Sequence, residues 1–241
     1  MNKTKTNFFI SIGNTRTSFA YFPEHIDSIK IIKTKTKNFF NNISFEDIFN
    51  QFGIIPNKIF VCSVVEEVNH KLITFFPHNE IVFLKHDNQK IINLNLLDNP
   101  QEIGNDIIAS AIYAKSLGQN VTVVSLGTAS VISNIVEGSL LGCIIMPGLE
   151  ISYNALIQNT AINKVELTSL TSIIGTSTQK SLSIGIINGH KAMIKELTKP
   201  FHTPQTKYVY FGGNTSYIEL NNWKKMEDID LLGLYLFSVT W

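Results

Sequence analysis

The chain has 241 residues, 44 % hydrophobic and 16 % charged, a balance that suits a packed globular protein and excludes a disordered one. Its formal net charge of +1 provides no field for drawing in nucleic acid or an anionic membrane. Cys62 and Cys143 are too few for a disulfide framework, and neither they nor the six histidines show a metal-ligand spacing.

Asn7–Ile12 is a short apolar strand that runs into the tight turn Gly13-Asn14-Thr15, and a second strand, Ser18–Phe22, follows at once. The pair reads as a hairpin with small residues at its bend. Ile29–Thr34 supplies a third strand. Ser44 caps a helix with Asp47 three positions on, and Phe45, Ile48, Phe49 and Phe52 fall on one face. Lys58–Ser63 and Glu80–Leu84 are strands flanking a helical stretch, Val68–Phe76. The asparagine-rich segment His86–Pro100 has no period and reads as a connector. Asp106–Leu117 is a helix with Ala109, Ala111 and Ala114, stopped by Gly118.

The opening pattern then recurs. Val121–Leu126 is an apolar strand ending in Gly127-Thr128-Ala129, followed by strands Ser130–Val136 and Leu140–Met146 with a turn at Glu137-Gly138. Glu150–Gln158 and Leu182–Leu197 are expected helices, Tyr208–Phe211 is a strand ending in Gly212-Gly213, and Asn214 is placed to cap a final helix. Two α/β lobes of similar fold are therefore expected, over residues 1–117 and 118–241, with a cleft between them of the kind that holds ligands. No run approaches the ~20 apolar residues of a membrane span. Met1–Ile12 is too soon interrupted for a signal peptide, so the expected compartment is the cytoplasm.

A bend of Gly, Asn and Thr lets backbone N–H groups converge without a Cβ in the way, as cradling a polyphosphate requires. Gly13-Asn14-Thr15 and Gly127-Thr128-Ala129 are two such bends, and Gly212-Gly213-Asn214-Thr215 is a third anion-site candidate. Arg16 is the only arginine, so any other grip on phosphate or carboxylate must use lysine or backbone amides. Asp106, at the start of a helix, is a candidate general base toward a hydroxyl, although taken alone it reads first as a capping carboxylate favoured by the helix dipole.

Six stretches occur in an order that resembles the type III pantothenate kinases, a family that includes the Bvg accessory factors. They are Ser11–Thr15, Pro100–Asp106, Leu126–Ala129, Gly142–Leu149, Gly175–Thr178 and Gly212-Gly213, and Asp230–Leu234 resembles the family's closing segment. The resemblance runs over nearly the whole chain. It implies a duplicated actin-like (ribonuclease H-like) α/β fold with mixed sheets flanked by helices. It also implies phosphorylation of pantothenate to 4'-phosphopantothenate, the first step of coenzyme A biosynthesis, with ATP and Mg²⁺, a monovalent cation such as K⁺, and a homodimer.

By the same resemblance Asp106 is the catalytic base. ATP falls to the first bend, Ser11, Ile12, Gly13, Asn14, Thr15, Arg16, Thr17 and Ser18, together with Thr128, Gly212 and Gly213. Pantothenate falls to Leu97, Gly104, Asn105, Asp106, Ile107 and Thr178, and the monovalent cation to Ser125. The chain departs from the family's pattern at five of its positions. Ser11, Ser125 and Ser133 stand where the family has aspartate, Ile107 where it has arginine, and Leu97 where it has tyrosine. A hydroxyl holds Mg²⁺ far less well than a carboxylate. Reduced turnover is the expected consequence. The alternative is a non-catalytic homologue, a partner subunit for an intact paralogue in a heterodimer or a ligand-sensing regulator. A sugar or acetate kinase of the same superfold fits the motif order less well. Neither nucleic acid nor a membrane is an expected partner, since no basic stripe or DNA-reading element is present.

Overall fold

The computed structural model describes residues 3–39 and 43–241. The chain forms two compact units, Met1–Ser116 with Ile229–Trp241, and Leu117–Asp228.

The first unit opens with β1 (Thr4–Ile12), β2 (Arg16–Tyr21), β3 (Lys30–Lys35) and α1 (Thr36–Phe39), then α2 (Phe45–Phe52), β4 (Ile54–Ser63), α3 (Glu66–Phe75), β5 (Glu80–Phe83) and α4 (Asn105–Leu117). Its sheet has the order β3-β2-β1-β4-β5, with β1 antiparallel to β2 and parallel to β4. The central strand is buried on both faces, as a covered sheet requires. Phe8, Ile10 and Ile12 enter one core with Phe45, Ile48, Val68 and Leu72 from α2 and α3. Phe9 points the other way, stacked on Phe60 with ring centroids 5.6 Å apart. As expected, Ser44 caps α2, its side chain accepting from the Asp47 N–H at 3.1 Å, and Gly53 ends it in the left-handed region at φ 68°. The connector expected over 86–100 lacks α-helix and is pinned internally: the Gln89 side chain donates to Ile92 O and accepts the N–H groups of Ile91 and Ile92.

The second unit repeats the design with β6 (Asn120–Leu126), β7 (Ala129–Val136), β8 (Ser139–Pro147), α5 (Leu149–Gln158), α6 (Thr178–Ser183), α7 (Gly189–Thr198), β9 (Lys207–Phe211) and β10 (Lys224–Lys225). Its sheet order, β10-β9-β6-β7-β8, matches the first strand for strand: two successive antiparallel pairings on one side of the lead strand and two successive parallel pairings on the other. The recurrence in the sequence is thus a duplicated actin-like fold. The helix expected over Leu182–Leu197 is α6 and α7 joined by a π-helical turn, Ile184–Asn188, which contains Gly185. Buried Ser130 and His190 pair at 2.8 Å within this unit.

Two expectations about the end of the chain are revised. Asn214 does not cap a final helix. It lies in a short 3₁₀ turn, Gly213–Ser216, and its side-chain amide donates to Gly127 O at 3.1 Å. The final helix, α8 (Ile229–Val239), leaves the expected second lobe and packs on β1 and β4 of the first unit. The reason is apolar: Ile229, Leu231, Leu234 and Phe237 are fully buried, and Phe237 meets Phe60 edge to face while Tyr235 lies against Phe9 and Phe22.

Candidate functional site

The first bend closes β1 onto β2, with the Gly13 N–H donating to Arg16 O at 2.9 Å and Asn14, Thr15 and Arg16 exposed. A residue that sequence reasoning missed, Thr36, ties this bend down. Its hydroxyl donates to Gly13 O at 2.6 Å, its N–H donates to Thr15 O at 2.9 Å, and it touches the Thr17 hydroxyl at 3.1 Å. Carbonyl oxygens that would repel a phosphate are therefore turned into the protein. Ile12 and Thr17 are buried, so Ile12 offers a ligand only backbone and Thr17 is engaged by Thr36. No signal in the run Lys33–Lys37 marks Thr36 as special.

In the second unit the glycine motifs converge in the same manner. A Cβ on Gly148 would fall 2.2 Å from Thr128 O and 2.4 Å from Gly127 O, and one on Gly212 would fall 2.5 Å from Leu126 O. Gly212 also has φ 117°, which disfavours any other residue. The carbonyls are again tied back: Gly148 N–H donates to Thr128 O at 3.0 Å, and the Asn214 amide holds Gly127 O. Thr128 and Gly213 are exposed and Gly212 is half-buried. Ser125 sits half-buried at the end of β6, and Ser133 is buried within β7, its hydroxyl 3.4 Å from Cys143 Sγ. Thr178 stands exposed in the first turn of α6, which Ser177 caps.

The chemistry concentrates in the first unit. Asp106 lies in the first turn of α4, half-buried, with Oδ1 accepting the Ile107 N–H at 2.9 Å. Burial raises its pKa above the ordinary 3.8, a shift that the N–H groups of Ile107 and Asp106 itself partly oppose. Gly104 makes room for this carboxylate, since a Cβ there would meet Asp106 Oδ1 at 2.5 Å. Asn105 anchors the start of α4 to the end of β4, donating to Ser63 O at 3.0 Å. Leu97 and Ile107 are half-buried on the segments before and after.

A second acid completes the group. The Ser11 hydroxyl donates to the carboxylate of Asp230, from the first turn of α8. Ser11 is paired in register with Cys62 on β4, and the Cys62 thiol is pushed well above its ordinary value by burial, then by Asp106, then by Asp230. Both carboxylates thus bear on one buried thiol. Sequence reasoning assigned Asp230 no role in the site, because only the return of α8 to the first unit brings it there.

Among the described residues no group of three or more His, Cys, Asp or Glu side chains could hold a metal alone. Mg²⁺ does not need one: it takes one or two carboxylates, substrate phosphates and water. Asp230 fits that demand. Ser125 offers a neutral hydroxyl.

The family whose pattern matches the chain is that of the type III pantothenate kinases, over residues 7–200. A type III pantothenate kinase of Mycoplasma mobile is 29 % identical over 238 residues, covering 95 % of this chain and 96 % of that protein. One from Thermosipho melanesiensis is 30 % identical over 241 residues, covering 94 % and 95 %. In structure, a Baf family protein from Campylobacter jejuni superposes with a TM-score of 0.67 at 18 % identity, over 97 % of this chain and 98 % of that one.

Proposed function

Because the chain belongs to the type III pantothenate kinase family, we propose that it transfers the γ-phosphoryl group of ATP to the hydroxyl of pantothenate, with Asp106 as general base. The observation that carries this reading is Asp106 itself, a half-buried carboxylate at a helix start with its pKa raised by burial and a glycine beside it that leaves room for its Oδ1. A base of this kind accepts a proton more readily than a solvated carboxylate. As the hydroxyl oxygen bonds to the γ-phosphorus, its proton passes to Asp106, and the bond to the β–γ bridging oxygen breaks so that ADP departs with the electron pair.

The bend at 11–18 and the bend at Thr128, with Gly212-Gly213, serve as phosphate cradles in this reading, since their carbonyls are tied back by Thr36, Gly148 and Asn214. Gly104, Asn105, Ile107, Leu97 and Thr178 take pantothenate. A divalent metal bound with ATP would supply the neutralisation of phosphate charge that phosphoryl transfer requires. The monovalent cation expected at Ser125 would there meet only a hydroxyl, half-buried at the end of β6.

The second reading, a subunit of low turnover that completes an intact paralogue's site or senses ligand, is favoured by the state of Ser133. Its hydroxyl is neutral and lies 3.4 Å from Cys143 Sγ. Loss of roughly 3–5 kcal/mol of transition-state stabilisation would slow turnover by about 10²–10⁴-fold. The test is an ATP- and pantothenate-dependent phosphorylation assay on the pure chain, with Asp106→Asn as control. Turnover by wild type and not by the variant supports the kinase reading. Equal inactivity of both, together with stimulation of a paralogue by the wild type, supports the second.

A further inference from the structure

The bend that would receive the first phosphates carries no acid: residues 11–18 read Ser-Ile-Gly-Asn-Thr-Arg-Thr-Ser. A kinase still needs a carboxylate near those phosphates to hold the divalent metal, directly or through its waters. Asp230, reached from the opposite end of the chain, is in direct contact with this strand end through the hydrogen bond from Ser11.

We propose that Asp230 is the metal-anchoring carboxylate of the first bend and that the Ser11 hydroxyl orients it. This rests on the kinase reading above and deepens it. Asp106 is then left to act on the acceptor alcohol.

Two further observations support this placement. The first is the crossing of α8 over α4. A Cβ on Gly233 would fall 1.8 Å from Ala109 O, so the two backbones touch there, closer than any residue but glycine permits. Asp230 lies three residues before Gly233, and Asp106 three before Ala109, so each acid stands about one helical turn before the same contact point. The helices are locked together where it matters. The second is the side from which Asp230 arrives. Ser11 and Phe9 alternate with the core residues Ile10 and Ile12, so they share the face of β1 that α8 covers through Tyr235. That face ends beside the bend. A purely structural role for Asp230, an acid complementing the dipole of α8, would explain its presence in the first turn. It would not require the hydroxyl of Ser11.

The experiment measures binding of a non-hydrolysable ATP analogue to the full-length chain with and without Mn²⁺, and bound Mn²⁺ by its spin resonance signal. Asp230→Asn keeps an acceptor for Ser11 and preserves shape. It is expected to keep the metal-free affinity and to lose the Mn²⁺-dependent gain by roughly tenfold or more, while Ser11→Ala loses part of it. The exchange variant Ser11→Asp with Asp230→Ser moves the carboxylate to the strand side of the same contact and is expected to regain the gain. Should Asp230→Asn retain the wild-type Mn²⁺ dependence, or a folded exchange variant fail to recover it, the proposal is overturned while the kinase reading stands. If the wild-type chain binds the analogue under neither condition, both are overturned.

Discussion

Gly104 shows how much a single missing methyl group decides. The atom that its Cβ would strike, 2.5 Å away, is Asp106 Oδ1, the movable end of a side chain, so the fold can yield while the carboxylate proposed as the base cannot keep its place. Gly104→Ala is expected to leave stability within about 1 kcal/mol and to lower kcat by about 10²-fold, since a displacement of about 1 Å suffices for that. Steady-state kinetics and urea unfolding of the same preparation check the pair of outcomes. Asp106 has its own signature in pH. Its raised pKa means that, above the ordinary 3.8, the folded chain retains a proton that the unfolded chain has already lost. Stability from this group is therefore full at low pH and declines as pH rises through the folded-state value. Asp106→Asn removes that decline. Its gain in urea midpoint over wild type should be larger at pH 8 than at pH 4, even as activity disappears, and a pH-independent difference would count against burial as the cause.

Among the elements, α8 matters most to the site, because it carries Asp230 and its position depends on one close contact. The neighbour of Gly233 is backbone, Ala109 O, and it cannot swing aside as the Asp106 carboxylate can. Gly233→Ala must push α8 away from α4, at a cost of roughly 1–3 kcal/mol or more for overpacking. It should lower the thermal midpoint and weaken Mn²⁺-dependent nucleotide binding together. An unchanged midpoint would mean that the helices do not meet as described. The strands preceding the bends were legible from the sequence because apolar runs and glycines are local signals. The way the bends are restrained was not. Thr36, Gly148 and Asn214 act across 23, 20 and 87 residues on Gly13, Thr128 and Gly127; Gly148 and Asn214 lie in motifs the sequence marks, but no local pattern shows which carbonyl each would hold, and none marks Thr36.

For the molecule as a whole, the expected homodimer can be tested at β8. This strand is an edge of the second sheet and leaves Leu141 and Ile145 42 % and 69 % exposed, and an apolar edge in water invites pairing. Ile145→Asp is expected to shift a dimer to monomers in sedimentation velocity without loss of secondary structure; a wild-type chain that sediments as a monomer would sink this expectation. Sequence alone established the duplicated design, the glycine bends, Asp106 at a helix start and the family, because strand periodicity, turn residues and motif order are written in contiguous stretches. Only the tertiary structure decided that the chain's last helix rejoins its first unit. That return brings Asp230 to Ser11 across 219 residues of sequence. The physical reason is that α8 has a buried apolar face which can be satisfied on any matching surface, and its periodicity does not say which sheet will cover it.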